Sequence, residues 1–244
     1  MFKHIKTEIQ YKDKDVILKH NDFQLDTFLN SESQVLVIDG DAGSGKSAFI
    51  KNILMNTDND VVVIAFKSTD MDVENKIKFM SGYGALTLEE VLDVYEESEN
   101  RVLYIDAVEK YYVMEHQETF EDVLNVFIER RWKIVFTVRT AYKESLVSIL
   151  LTNVKVKQYH IDLIAYTNLI NLADEYGFKL PNDKRLQEIL RVPFYLGLYL
   201  ALENIDDEKL IALNREQFEE KYGMKSYVTI RNVKIICQHE EKLS

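Results

Sequence analysis

Eight residues, Gly40-Asp41-Ala42-Gly43-Ser44-Gly45-Lys46-Ser47, constrain this chain more than any others. They fit G-x-x-x-x-G-K-[ST], a glycine loop whose backbone N–H groups cradle phosphates. The flanks agree with that reading. Gln34-Val35-Leu36-Val37-Ile38-Asp39 in front is an apolar run of strand length. The segment from Ser47 to Leu54 behind it is apolar at Phe49, Ile50, Ile53 and Leu54, the spacing of one helix face. Gly40, Gly43 and Gly45 let the backbone turn where a side chain would clash. Lys46 is expected to reach the β- and γ-phosphates and the Ser47 hydroxyl to ligate Mg²⁺, with Asp41, Ala42 and Ser44 completing the cradle. An ordinary glycine-rich turn before a helix is the plain alternative. It does not account for lysine and serine following in the required order.

Bulk properties narrow the rest. A chain of 244 residues can form one α/β domain with a small second unit. The single cysteine, Cys237, excludes an internal disulfide and a cysteine zinc cluster, and fits a reducing cytoplasm. No apolar run approaches the length of a membrane span. A formal net charge of -11 argues against bulk nucleic-acid binding, which needs a cationic face. The five histidines (4, 20, 116, 160 and 239) are scattered, none at metal-ligand spacing, and read as surface or packing residues.

Periodicity divides the chain. Residues 1–30 read as a lead-in to the core, and residues 31–161 as the nucleotide-binding core. Val35–Asp39, Asp60–Phe66, Arg101–Asp106, Trp132–Thr137 and Val154–Ile161 are the predicted strands. The β-branched second run has the composition of a strand buried on both faces. Helices are predicted over Leu86–Tyr95, capped by Thr87, and over Thr119–Arg131. Strands alternating with helices indicate a parallel sheet of about five strands covered on both faces. From 162 to 214 only helical spacing remains, a small C-terminal helical lid. Residues 215–244 fit neither pattern, although Val228–Cys237 has strand character.

Three further stations carry chemistry. Val102-Leu103-Tyr104-Ile105-Asp106-Ala107-Val108-Glu109 places Asp106 at the carboxyl end of an apolar strand, where open α/β sheets gather ligands. Asp106 is a candidate to hold a metal-bound water, and Glu109 to polarise an attacking one. Phe136-Thr137-Val138-Arg139 ends in an arginine that can stabilise a γ-phosphate. Arg191-Val192-Pro193-Phe194-Tyr195-Leu196 begins a helix at Pro193. The plain readings are an acidic turn, an exposed ion pair involving Glu109, a surface arginine and a helix start. The aromatic pairs Tyr111-Tyr112 and Phe194-Tyr195 read as packing residues.

In order and spacing these four stations resemble the STAND class of signalling ATPases. Within it they are most similar to the bacterial branch of NACHT-like and Avs-type antiphage proteins. The resemblance spans residues 15–220. It implies a P-loop NTPase fold of the ASCE type and ATP with Mg²⁺ between sheet and lid. It also implies slow hydrolysis and a nucleotide state that sets whether the protein stays closed or assembles with its own copies. By the same resemblance Pro193 lies near the nucleotide and Arg139 senses it, and partners would include a viral trigger and an effector. Such proteins carry an arginine in a box before the core, where Val16-Ile17-Leu18-Lys19-His20-Asn21-Asp22 has Lys19 instead. They also continue into further domains, so the change after Tyr222 is compatible with a truncated product as well as with a stand-alone module.

Three functions remain open at this point. One is the slowly hydrolysing switch. A second is a P-loop kinase acting on a small acceptor, and a third is a non-catalytic nucleotide-binding module. Strand order separates the first two. A hydrolase-type sheet inserts the strand Ile134–Thr137 between the P-loop strand and the Asp106 strand, and a kinase-type sheet does not. The intervening strand is expected here, because Glu109 and Arg139 would then both face the γ-phosphate.

Overall fold

The computed structural model describes residues 9–12, 14–16, 18, 23–55, 57, 60–84, 87–202 and 207–222. Its strands are β1 (Ile9–Tyr11), β2 (Lys14–Val16), β3 (Val35–Gly40), β4 (Val61–Lys67), β5 (Asn100–Asp106), β6 (Lys133–Arg139) and β7 (Val156–Ile161). The helices are α1 (Leu25–Leu29), α2 (Lys46–Met55), α3 (Lys76–Ser81), α4 (Leu88–Val94), α5 (Gln117–Glu129) and α6 (Lys143–Leu150). They continue as α7 (Tyr166–Tyr176), α8 (Lys184–Leu190), α9 (Pro193–Leu200), α10 (Asp207–Ile211) and α11 (Arg215–Lys221). Among the described residues no helix is long and apolar enough to cross a membrane. The predicted strand Val228–Cys237 and the Lys19 position lie outside them.

Five strands form a parallel sheet in the order β4-β5-β6-β3-β7. The strand β6 therefore stands between the P-loop strand β3 and the Asp106 strand β5, as expected for the hydrolase-type order. The pleat sends alternate residues to opposite faces. Val35 and Val37 join one core with Phe120, Val123, Leu124 and Phe127 of α5, while Leu36 and Ile38 join another with Phe49, Ile50 and Leu54 of α2. That two-sided burial is why β3, β5 and β6 read as nearly continuous apolar runs.

The strand β4 departs from expectation. Its β-branched run predicts burial on both faces, but it is the sheet edge and five of its seven residues are only half-buried. Composition reports strand propensity, not position in the sheet. The helix α4 is capped as predicted: the Thr87 hydroxyl accepts from the Glu90 N–H at 3.2 Å, and the Glu90 carboxylate accepts from the Thr87 N–H at 2.8 Å.

A third core gathers the C-terminal helices, with Leu169, Leu186, Leu190, Leu196 and Tyr199 among its members, and Phe218 of α11 joins it from the segment expected to fit neither pattern. Tyr11 and Val16 of the β1–β2 hairpin are buried in this core. Part of the expected lead-in thus packs with the lid, whereas α1 packs beneath the sheet beside α2. The register aligns the carboxyl ends: Gly40 is opposite Arg139 on one side and Ile161 on the other.

Candidate functional site

The P-loop has the backbone its glycines allow. Gly43 and Gly45 take φ of 77° and 91°, a region that side-chain-bearing residues rarely occupy. A Cβ on Gly40 would come within 2.9 Å of the Ile161 carbonyl oxygen, so the neighbouring backbone also demands glycine there. Asp41 and Ala42 are exposed at the loop tip, whereas Ser44 is buried and its hydroxyl has no hydrogen-bond partner.

Lys46, at the start of α2, donates from Nζ to the carbonyls of Gly40 and Asp41, each at 2.8 Å. The ammonium is thus held across the mouth of the loop. Burial pushes its pKa down. The carboxylates of Glu109, Asp106 and Asp41 oppose that shift and the Arg139 guanidinium adds to it.

One residue further, the Ser47 hydroxyl donates to Asp106 Oδ1 at 2.8 Å. The same oxygen accepts from the Tyr104 hydroxyl at 2.8 Å and from Thr137 at 2.5 Å. Three hydroxyls from α2, β5 and β6 therefore fix one carboxylate at the carboxyl end of the sheet. Burial and the adjoining Asp106 charge hold the Tyr104 phenol well above its usual value, so it stays a donor. Among the described residues no three His, Cys, Asp or Glu side chains form a metal cluster. The Ser47–Asp106 pair instead offers the hard oxygens that suit Mg²⁺ bound largely through phosphate and water.

Glu109 follows in a 3₁₀ turn, Val108–Val113. Its Oε1 lies 3.1 Å from Arg139 Nε, and its Oε2 accepts from the Arg139 backbone N–H at 3.3 Å. The register that sets Arg139 beside Gly40 brings this ion pair to the P-loop.

The C-terminal helices reach the loop through α9. The Phe194 N–H, at the start of α9, donates to the Gly43 carbonyl at 3.2 Å. A Cβ on Gly45 would stand 4.0 Å from Pro193 Cγ. Lys46, Ser47, Asp106, Glu109, Arg139 and Pro193 therefore all lie about the loop at this end of the sheet. The Phe194 and Tyr195 rings meet edge-on at 5.4 Å, and Phe194 stands so near the loop that a Cβ on Gly43 would come within 2.9 Å of its own Cβ, although the residue is 57% exposed.

Sequence reasoning missed a second charged group directly beneath the loop. Asp39, 1% exposed, is 3.3 Å from Lys143 Nζ and 2.6 Å from His160 Nδ1. Burial would raise its carboxyl, but the His160 hydrogen bond and the neighbouring Lys143 ammonium outweigh it and leave the pKa lowered. His160 is thus a hydrogen-bond partner of Asp39, not a bystander. The available signal was a carboxylate inside an otherwise apolar strand. Tyr104 carried a signal as well, since it stands two residues before Asp106 and so shares its face of the strand.

No protein-family model matches the sequence, and no curated protein matches it significantly. Among solved structures it superposes on AMPPCP-bound DnaA from Aquifex aeolicus with a TM-score of 0.53 at 14% identity, covering 81% of this chain and 64% of that one. It superposes on the Walker-type ATPase of Pyrococcus abyssi with a TM-score of 0.54 at 14% identity, covering 81% of this chain and 69% of that one. The chain accordingly spans less than two thirds of the DnaA length. With its central β6 and its glycine loop between β3 and α2, this protein has the fold of the P-loop ATPases.

Proposed function

We propose that this protein binds ATP with Mg²⁺ and hydrolyses it slowly, as a STAND-type signalling switch. The observation that carries the reading is the Ser47–Asp106 hydrogen bond of 2.8 Å beside the Glu109–Arg139 ion pair, all at the mouth of one P-loop. The solved structure with AMPPCP adds support, as a similar fold that holds a nucleotide analogue.

In this proposal the loop amides from Asp41 to Ser47 and the Lys46 ammonium hold the phosphates. Ser47 and Asp106 hold Mg²⁺, which supplies neutralising charge to the phosphate oxygens. The Glu109 carboxylate orients the attacking water and takes its proton. Arg139 must then exchange part of its contact with Glu109 for the γ-phosphate, and that exchange would make turnover slow. The lid contacts at Pro193 and Phe194 would report the state of the loop to the helical unit.

The finer reading, a bacterial antiphage switch that assembles with its own copies on a viral trigger, is supported by the order of the four motifs. Strand order favours the hydrolase over the small-acceptor kinase, because β6 separates β3 from β5. A second reading, a non-catalytic nucleotide-binding module, is favoured by one observation: both Glu109 oxygens are engaged by Arg139.

The test compares ATP binding and phosphate release for the protein and its Lys46→Ala variant. Tight binding should shift thermal unfolding upward, since ligand at about a hundred times Kd adds roughly 2.7 kcal/mol. Equal binding by both proteins would eliminate the proposal. A large shift with no phosphate release, insensitive to Glu109→Gln, would select the non-catalytic module. Nucleotide-dependent assembly by light scattering, and phage challenge of cells carrying Lys46→Ala, test the finer reading.

A further inference from the structure

Between Asp106 and the 3₁₀ turn that carries Glu109 lies Ala107, at φ 57° and ψ 50°. This is left-handed backbone that an L-residue with a Cβ avoids unless its surroundings impose it. The surroundings here are specific. The Ala107 N–H donates to Thr137 Oγ1 at 3.0 Å. Its carbonyl accepts from the Ser68 hydroxyl at 2.7 Å and from the Lys110 N–H at 3.0 Å. Ser68, just beyond β4, and Thr137, on β6, are 0% and 1% exposed. They reach Ala107 from the two strands that flank β5. Thr137 also donates its own hydrogen to Asp106, at 2.5 Å.

We infer that Ser68 and Thr137 are positioning residues that clamp Ala107 in its left-handed turn, and so fix Glu109 relative to Asp106. The inference rests on the hydrolytic reading of the site above. An unclamped Ala107 relaxes toward right-handed backbone. The 3₁₀ turn then rotates and carries the Glu109 carboxylate away from Arg139 and from any water placed by a phosphate. Neither Ser68 oxygen nor backbone enters the phosphate cradle, so its loss falls on turnover and not on nucleotide affinity. Thr137 acts on both carboxylates, directly on Asp106 and through Ala107 on Glu109, so its loss weakens Mg²⁺ affinity as well.

The test uses the full chain, with MgATP as the probe. Ser68→Ala should lower kcat by about tenfold to a hundredfold, the effect of an ångström-scale misplacement, with ATP affinity within about twofold of the parent. Adding Ala107→Gly should restore most of that loss, because glycine takes positive φ freely. Thr137→Val should lower kcat and raise the Mg²⁺ concentration needed, and Thr137→Ser should restore both. Hydrogen exchange at the Ala107 amide, faster in Ser68→Ala and in Thr137→Val, reads the clamp without turnover. Unchanged exchange and kcat in Ser68→Ala, equal loss of binding and turnover, or no rescue by Ala107→Gly would overturn the inference. Absence of Lys46-dependent ATP binding in the parent would instead overturn the function, while the exchange data still decide the clamp.

Discussion

Arg139 holds Glu109 twice, with its guanidinium Nε 3.1 Å from one carboxylate oxygen and its backbone N–H on the other at 3.3 Å. The pair joins the end of β6 to the turn after β5 and lies next to Lys46, whose proton affinity both charges influence. Two acidic and two basic side chains thus balance one another at the end of the sheet, close enough for a polyanion to rearrange them.

Glu109→Gln should keep ATP binding within about twofold and reduce phosphate release by about a hundredfold or more, the usual contribution of a positioned base. Arg139→Ala should reduce release by a similar factor through loss of charge at the γ-phosphate. Single-turnover assays with labelled ATP measure both. A Glu109→Gln protein that releases phosphate at the parent rate would remove Glu109 from the chemistry.

Binding of ATP should weaken on the alkaline side before ordinary lysines titrate. Burial lowers the Lys46 pKa, so its cationic form is lost at a lower pH than that of an exposed lysine. Losing one charged contact of about 1.5 to 3 kcal/mol corresponds to roughly tenfold to a hundredfold in Kd. Calorimetric titrations across the alkaline range should show that loss in the parent and a flat profile in Lys46→Ala.

Asp39 should tie stability to acid pH. Its folded pKa is lowered while the unfolded carboxyl keeps its ordinary value of about 3.9. The unfolded chain therefore takes up the proton first as pH falls. The stabilisation is complete above the ordinary carboxylate range and is lost as pH drops through the folded pKa. Asp39→Asn should cost about 2 kcal/mol at neutral pH, less than for a fully enclosed pair because His160 is 46% exposed. Its acid transition should also be flatter. Urea unfolding followed by the fluorescence of Trp132, the single, fully buried tryptophan, supplies the measurement.

Gly43→Ala should destabilise the lid–loop contact. The new Cβ would meet Phe194 Cβ at 2.9 Å and sit at a φ of 77°. Left-handed strain alone costs roughly 1 to 2 kcal/mol, and the collision adds to it. Phe194→Ala on this background should not recover the loss, since the colliding Cβ remains. Recovery would mean that the ring, not the backbone approach, limits the space.

The sequence was most informative where one residue type has a single physical use. The glycines and Lys46–Ser47 announced the loop, because only positive-φ backbone and a terminal ammonium suit it. Apolar runs announced β3, β5 and β6, because burial on both faces removes alternation. The Thr87 cap was legible because its bond spans three residues, and the structure adds the reciprocal Glu90 bond. The edge position of β4 was not legible, since strand propensity is the same at the centre and at the rim.

What the sequence by itself determined is thus the phosphate cradle, the sheet class and the identity of the carboxylates and arginine around the loop. Local backbone geometry dictates those residue types. The tertiary structure turned the expected place of β6 between β3 and β5 into an observed one, and it alone decided that the β1–β2 hairpin packs with the C-terminal helices and that Asp39 meets Lys143 and His160. It alone decided that Ser68 and Thr137 meet at Ala107. These hydrogen-bonded partners of Asp39 and Ala107 lie between 30 and 121 residues away in the chain. Long-range register, which no local pattern encodes, is what brings them within hydrogen-bonding distance.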